Sequence, residues 1–237
     1  MIIFPAIDIQ NGKCVRLRQG AEKDSTVYFE DPEEAAVHWE KEGAEWLHLV
    51  DLDGAFRGEG VNTEMIKKIS RRVSIPVEVG GGIRTMDDIR RHLRNGVSRV
   101  IIGSMAAENP DFASEAAARW PGKIAVSVDA KGDWAAVHGW VESSGRKVVP
   151  FVRELIDSGI SVIIYTDISR DGMLTGPNTG MLGRLQAMPG ISLIASGGVS
   201  SAGDLKILKD MNLYGAICGK ALYEGRVTMK QIRKIQE

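Results

Sequence analysis

The chain has 237 residues, 43% hydrophobic and 26% charged, a composition expected of a soluble globular protein. That length suits one α/β barrel. Its 30 basic and 31 acidic residues leave a net charge of −1, which excludes bulk attraction to nucleic acid or to an anionic membrane.

Two cysteines, Cys14 and Cys218, exclude a disulfide scaffold and read as buried small residues. The opening MIIFPAIDIQ lacks the basic flank of a signal peptide and soon reaches Asp8. No uncharged apolar run approaches the roughly 18 residues of a membrane span. A cytoplasmic protein is expected.

In chain order, short β-branched runs alternate with amphipathic ones. A strand at 2–8 is followed by a polar stretch at 18–31 and a helix at 32–43. Strand–helix pairs then fall at 46–51 and 63–72, 76–79 and 85–95, 99–102 and 110–119. The second half begins with a strand at 124–129, a short strand-like piece at 134–140 and a helix at 147–158. Further pairs fall at 161–166 and 179–187, 191–195 and 200–210, 214–218 and 227–236. The strands are mostly continuous apolar runs, as in parallel sheets buried on both faces. Caps mark several helix starts: Asp31-Pro32, Thr85 before Asp88, Asn109-Pro110, and Ser200-Ser201 before Asp204. Glycines stop others, at Gly43, Gly96 and Gly159.

The two halves repeat. Laid without a gap on residues 159–222, residues 43–106 match Gly43 to Gly159, Asp51 to Asp167, Gly60 to Gly176 and Asn62-Thr63 to Asn178-Thr179. Gly81-Gly82 fall on Gly197-Gly198, Asp88 on Asp204 and Gly103 on Gly219. Eight strand–helix units in a duplicated chain predict a (β/α)8 TIM barrel of two (β/α)4 halves. It forms one domain over 1–237, with halves of about 1–121 and 122–237. Ile7-Asp8 and Val128-Asp129 also match, but only if five extra residues lie between Asp8 and Gly43. The stretch 18–31 is therefore expected to be a long loop and a candidate lid.

In such barrels the chemistry sits at the C-terminal ends of strands. Asp8 and Asp129 end strands four apart and face each other across the mouth, a pair able to divide acid and base work. Strand-end glycines let backbone N–H groups approach an anion, aided by the following helix N-terminus. Gly81, Gly82 and Gly103 form one candidate phosphate grip. Gly197, Gly198 and Gly219 form its duplicate, although glycines there also serve plain tight turns. Arg84 stands opposite Ser200, and Lys220 opposite Ser104, so the two ends of a bisphosphate ligand would be treated differently.

After the sixth strand, Tyr165-Thr166-Asp167 leads into a polar loop. There Asp171 is either a turn residue before Gly172 or a third carboxylate. Trp140 is either a stacking platform for a flat heterocycle or a hydrophobic plug. Trp39, Trp46, Trp120 and Trp134 read as packing. His38 and His92 read as surface or half-buried, and the parity of His48 is open. The histidines and cysteines lack metal spacing, and no dinucleotide or P-loop motif is present. Acid–base chemistry without metal or cofactor is the expectation.

Residues 4–20 (FPAIDIQNGKCVRLRQG), 47–55 (LHLVDLDGA), 77–89 (VEVGGGIRTMDDI), 100–106 (VIIGSMA), 165–178 (YTDISRDGMLTGPN) and 195–205 (ASGGVSSAGDL) together resemble the phosphoribosylformimino-AICAR ribotide (ProFAR) isomerases of histidine biosynthesis. The resemblance implies a duplicated (β/α)8 barrel. It implies an Amadori rearrangement of an aminoaldose bisphosphate to the aminoketose, without cofactor. It further implies catalytic roles for Asp8, Asp129 and Asp171, and stacking of Trp140 on the carboxamide-imidazole. Asp8 is expected as base and Asp129 as acid, with Asp171 the alternative acid. Gly81, Gly82, Arg84, Gly103, Ser104, Thr166, Gly197, Gly198, Gly219 and Lys220 are expected to bind substrate. A monomer with no nucleic-acid or membrane partner is expected. The alternatives are additional action on phosphoribosylanthranilate, the related cyclase of imidazole glycerol phosphate synthase, and a non-catalytic bisphosphate sensor. Ala6-Ile7-Asp8 and the TDISRDG loop fit the isomerase better than the cyclase.

Overall fold

A computed structural model describes residues 1–18, 21–58 and 60–236. Its strands are β1 (Ile2–Gln10), β2 (Lys13–Arg18), β3 (Ala21–Phe29), β4 (Leu47–Asp51), β5 (Val77–Gly80), β6 (Arg99–Ile102), β7 (Ile124–Lys131), β8 (Trp134–Val137), β9 (Glu142–Lys147), β10 (Val162–Asp167), β11 (Ser192–Ser196) and β12 (Gly215–Cys218). Parallel pairing runs β1–β4–β5–β6–β7–β10–β11–β12 and returns to β1. The expected (β/α)8 barrel is therefore closed. Helices Pro32–Lys41, Thr63–Arg72, Met86–Arg94, Pro110–Arg119, Val148–Asp157, Thr179–Gln186, Ala202–Asp210 and Met229–Gln236 follow the barrel strands in turn.

Alternation along each strand divides the core. Ile7, Leu49, Val79, Val100, Val128 and Ile163 belong to the large apolar cluster that also holds the helix faces. Phe4, Ala6, Ile101, Ala125, Ile164, Ile194 and Ile217 form a second cluster, inside the barrel. Both cysteines are buried and free.

The repeated residues perform the same local work in both halves. Thr85 with Asp88 and Ser201 with Asp204 each form a reciprocal capping box. The Asp51 carboxylate accepts from the Gly54 and Asn62 N–H groups at 2.8 and 2.9 Å and from Asn62 Nδ2 at 2.7 Å. Its counterpart Asp167 accepts from the Ser169 N–H at 3.0 Å and from Asn178 Nδ2 at 2.8 Å. These carboxylates tie each post-strand loop to the start of the next helix. The neighbouring backbone leaves no room for a side chain at the matching glycines. A Cβ on Gly81, at φ +98°, would lie 2.2 Å from the Asp51 carbonyl oxygen. One on Gly197, at φ +84°, would lie 2.8 Å from that of Asp167.

Two features differ from the sequence expectation. The stretch 18–31 is largely strand: β2 and β3 form an antiparallel hairpin that extends β1, and only Gln19 and Gly20 at its tip lie outside the described residues. An equivalent hairpin, β8–β9, extends β7. Each half thus continues its first strand above the barrel rim. His92 is not at the surface. It is buried between helix and sheet, and that burial holds its imidazole below the usual pKa.

Gly81→Ala should cost more than about 3 kcal/mol, because backbone rather than a movable side chain blocks the new Cβ. Urea unfolding of the two proteins measures it. A loss under about 1 kcal/mol would mean that the Asp51 loop yields.

Candidate active site

Barrel parity turns Asp8, His48, Val50, Ser127, Asp129 and Thr166 into one cavity at the C-terminal rim. Asp171 reaches it from the loop after β10. Gly81, Gly82 and Arg84 enter from the loop after β5, Gly103 and Ser104 from that after β6, and Trp140 from the β8–β9 turn.

The three carboxylates have different surroundings. Asp8 is paired with Arg16, whose Nη1 lies 2.8 Å from Oδ2. Asp129 accepts from Ser127 Oγ at 2.7 Å and from Trp140 Nε1 at 2.8 Å. Asp171 is the most strongly perturbed. Burial pushes its carboxyl up to about 6, Arg16 opposes this, and the charges of Asp8 and Asp129 add to it. Arg16 Nη2 is 4.0 Å from Asp171 Oδ1, too far for a direct hydrogen bond.

Arg16 comes from β2, where it stands between the buried Val15 and Leu17. Its Nε is buried and has no hydrogen-bond partner among the described residues. Its Cζ lies 2.4 Å from where a Cβ on Gly219 would sit. The absence of a side chain at Gly219 is what admits the guanidinium.

The first glycine grip opens to the cavity with Arg84 and Ser104. The duplicate grip does not. Gly197, Gly198, Gly219 and Lys220 are not among the residues lining the cavity, although their neighbours Ser196 and Ile217 are. Gly198 faces the Gly176 carbonyl, Gly219 lies under Arg16, and Lys220 Nζ donates to the Gly172 carbonyl at 3.2 Å. Gly103 and Gly219 share one unusual backbone geometry, with φ near −100° and ψ −111° and −102°. Each precedes a short helix, Ser104–Glu108 and Lys220–Tyr223.

Trp140 reaches Asp129 by way of three consecutive left-handed residues, His138, Gly139 and Trp140, at φ 54°, 65° and 74°. The His138 N–H donates to Ser104 Oγ at 2.8 Å, and the His138 ring pairs with Glu108 at 3.2 Å. The β8–β9 turn therefore touches both a catalytic candidate and a phosphate-binding candidate. Arg16 and Ser127 escaped the sequence reading. The signal available for Arg16 was a lone charge within the apolar alternation of CVRLR.

Residues 2–228 match the family described as histidine biosynthesis protein. The chain belongs to that family. A family relative from Oceanobacillus iheyensis is 49% identical over 98% of this chain and 97% of its own length. Relatives from Thermodesulfovibrio yellowstonii (49%, covering 99% and 97%) and Lachnoclostridium phytofermentans (47%, covering 100% of both chains) are similar to the same extent. All three are named 1-(5-phosphoribosyl)-5-((5-phosphoribosylamino)methylideneamino)imidazole-4-carboxamide isomerase. The family match spans both half-barrels and every cavity residue described above.

The Asp171 carboxyl yields a stability prediction. Its folded-state pKa of about 6 lies above the ordinary 3.8, so the protonated form favours the fold. That contribution is complete below pH 3.8 and is lost as pH rises through 6. Asp171→Asn should therefore stabilise the protein at pH 8 by roughly 2–3 kcal/mol and have little effect near pH 4. Denaturant unfolding at both pH values measures it, and an equal effect at both would contradict the assignment.

Proposed function

We propose that the protein is an aminoaldose–ketose isomerase of histidine biosynthesis that converts ProFAR to its phosphoribulosyl form. It acts on this small molecule without metal or cofactor. The observation that carries the reading is the convergence of Asp8, Asp129 and Asp171 on one cavity, with burial pushing the Asp171 carboxyl up to about 6. The names of the relatives support the same activity and favour neither the cyclase nor action on phosphoribosylanthranilate.

Substrate enters with one phosphate at Gly81, Gly82, Arg84, Gly103 and Ser104. The other goes to Gly197, Gly198, Gly219 and Lys220, where Arg16 adjoins Gly219 and Arg170 adjoins Gly198. Two anchored ends hold the reacting ribose between the carboxylates, so its orientation is fixed before chemistry. Trp140 offers its ring to the carboxamide-imidazole, and Thr166 lines the wall beside Asp129.

Three steps follow. A carboxylic acid protonates the ribose ring oxygen and the ring opens to a Schiff base. Asp8, ionised against Arg16, removes the C2 proton to give the enolaminol. Protonation at C1 and loss of the 2-hydroxyl proton then deliver the ketone. Of the two candidate acids, Asp171 has the stronger support. Both oxygens of Asp129 already accept hydrogen bonds, whereas burial favours the protonated form of Asp171. A monomer is proposed as the working unit. No described helix is long and apolar enough to cross a membrane, and a cytoplasmic location accords with the biosynthetic role.

Purified protein should convert ProFAR, and Asp8→Asn should lower kcat by at least about 10²-fold while substrate still binds. Unchanged turnover in that variant would remove Asp8 from the mechanism. With Asp171 as acid, kcat/KM should fall about tenfold per pH unit well above pH 6. A flat profile from pH 6 to 9 would exclude it.

A further inference from the structure

Beneath the carboxylates lies a buried chain of charge that the three steps above do not use. Pairing places Ala6, His48, Glu78 and Arg99 side by side on β1, β4, β5 and β6. That row is one inward position below Asp8 and its neighbour Val50. His48 Nδ1 is 2.7 Å from Glu78 Oε1, and Arg99 Nε donates to Glu78 Oε2 at 2.8 Å. Glu78 has no solvent exposure, and the Arg99 guanidinium lies 4.7 Å from the Trp46 ring and 5.6 Å from that of Phe4.

Arginine remains charged in proteins, so Glu78 stays a carboxylate. Burial opposes this, but His48 and Arg99 together hold it below the ordinary range. A carboxylate only accepts, so His48 Nδ1 must carry the hydrogen. In the neutral ring Nε2 is then a bare acceptor. It has no hydrogen-bond partner among the described residues, and the side chain lines the cavity. A structural ion pair at the barrel floor would not need an imidazole at its upper end.

We propose that His48 accepts the proton of the substrate 2-hydroxyl as the enolaminol becomes the ketone, with Glu78 and Arg99 as its positioning residues. The inference rests on the isomerase reading. In the step, the O2–H bond breaks and an Nε2–H bond forms, and the oxygen electron pair makes C2=O. The C1=C2 pair takes up at C1 the proton that Asp8 had removed from C2. The resulting imidazolium lies against the Glu78 carboxylate. It returns its proton to Asp171, which was left ionised by ring opening and feels the charge of His48. Every group ends in its starting state.

The test uses the whole protein with ProFAR carrying hydrogen or deuterium at C2. His48→Asn retains an N–H donor for Glu78 and lacks Nε2. It should lower kcat by about 10²-fold with KM within about threefold, and the C2 isotope effect on kcat should shrink towards unity as the later step becomes limiting. A kcat within about threefold of wild type, or a slow variant that keeps the full C2 isotope effect, would overturn the proposal. Nitrogen NMR of His48 in the wild type gives a second reading that needs no variant. The Nδ1–H tautomer is expected, and an Nε2–H tautomer would overturn it. Failure of the wild type to turn over ProFAR would instead remove the isomerase reading itself.

Discussion

Closure of the parallel sheet fixes which side of every strand faces inward, and the rest of the site depends on that. The pairings of β12 with β1 and of β7 with β10 leave no free edge in the barrel. Side chains alternate with a period of two, so a slip of one residue in β1 would send Asp8 out among the helices and bring Ile7 or Ile9 into the mouth. The slip is prevented by burial on both faces. Phe4 and Ala6 fit the interior, while Ile7 and Ile9 fit the helix layer. Hydrophobic packing thus sets the geometry of the carboxylates without touching their chemistry.

Within that frame the electrostatics are asymmetric. Three carboxylates share a poorly solvated mouth with one buried guanidinium. Arg16 pairs directly with Asp8, and Asp171 is raised first by burial and then by the charges of Asp8 and Asp129. The two glycine grips are likewise unequal despite their matching positions in the repeat. One opens to the cavity, and the other lies under Arg16 and behind the Lys220–Gly172 contact. On the proposed function, that inequality is what would let a nearly symmetric barrel distinguish the two ends of its substrate.

Much of this architecture is legible in the sequence. Continuous apolar runs such as RVII and the paired caps Thr85–Asp88 and Ser201–Asp204 mark strands and helices to within a residue or two. The duplicated Asp51, Asn62 and Gly81 correspond to one loop-tying device made twice. The hairpins are less visible for a physical reason. β9 reads ESSGRK and carries no alternation, because most of its side chains are exposed. β3 likewise has largely exposed side chains where they are described, and among the described residues it pairs only with β2. The helices Ser104–Glu108 and Lys220–Tyr223 are too short to show a 3.6-residue period. Arg16 and His48 contact residues distant in sequence, Gly219 and Glu78, which one-dimensional patterns do not record.

The most direct test of the account is a crystal structure of the protein with the bisphosphate substrate or product bound. The account predicts one phosphate at Gly103 and Ser104 and the other at Gly198 and Gly219. It also predicts the reacting ribose between Asp8 and Asp171, with Arg16 still paired with Asp8. A ligand held by only one phosphate, or with its ribose out of reach of Asp8, would contradict it.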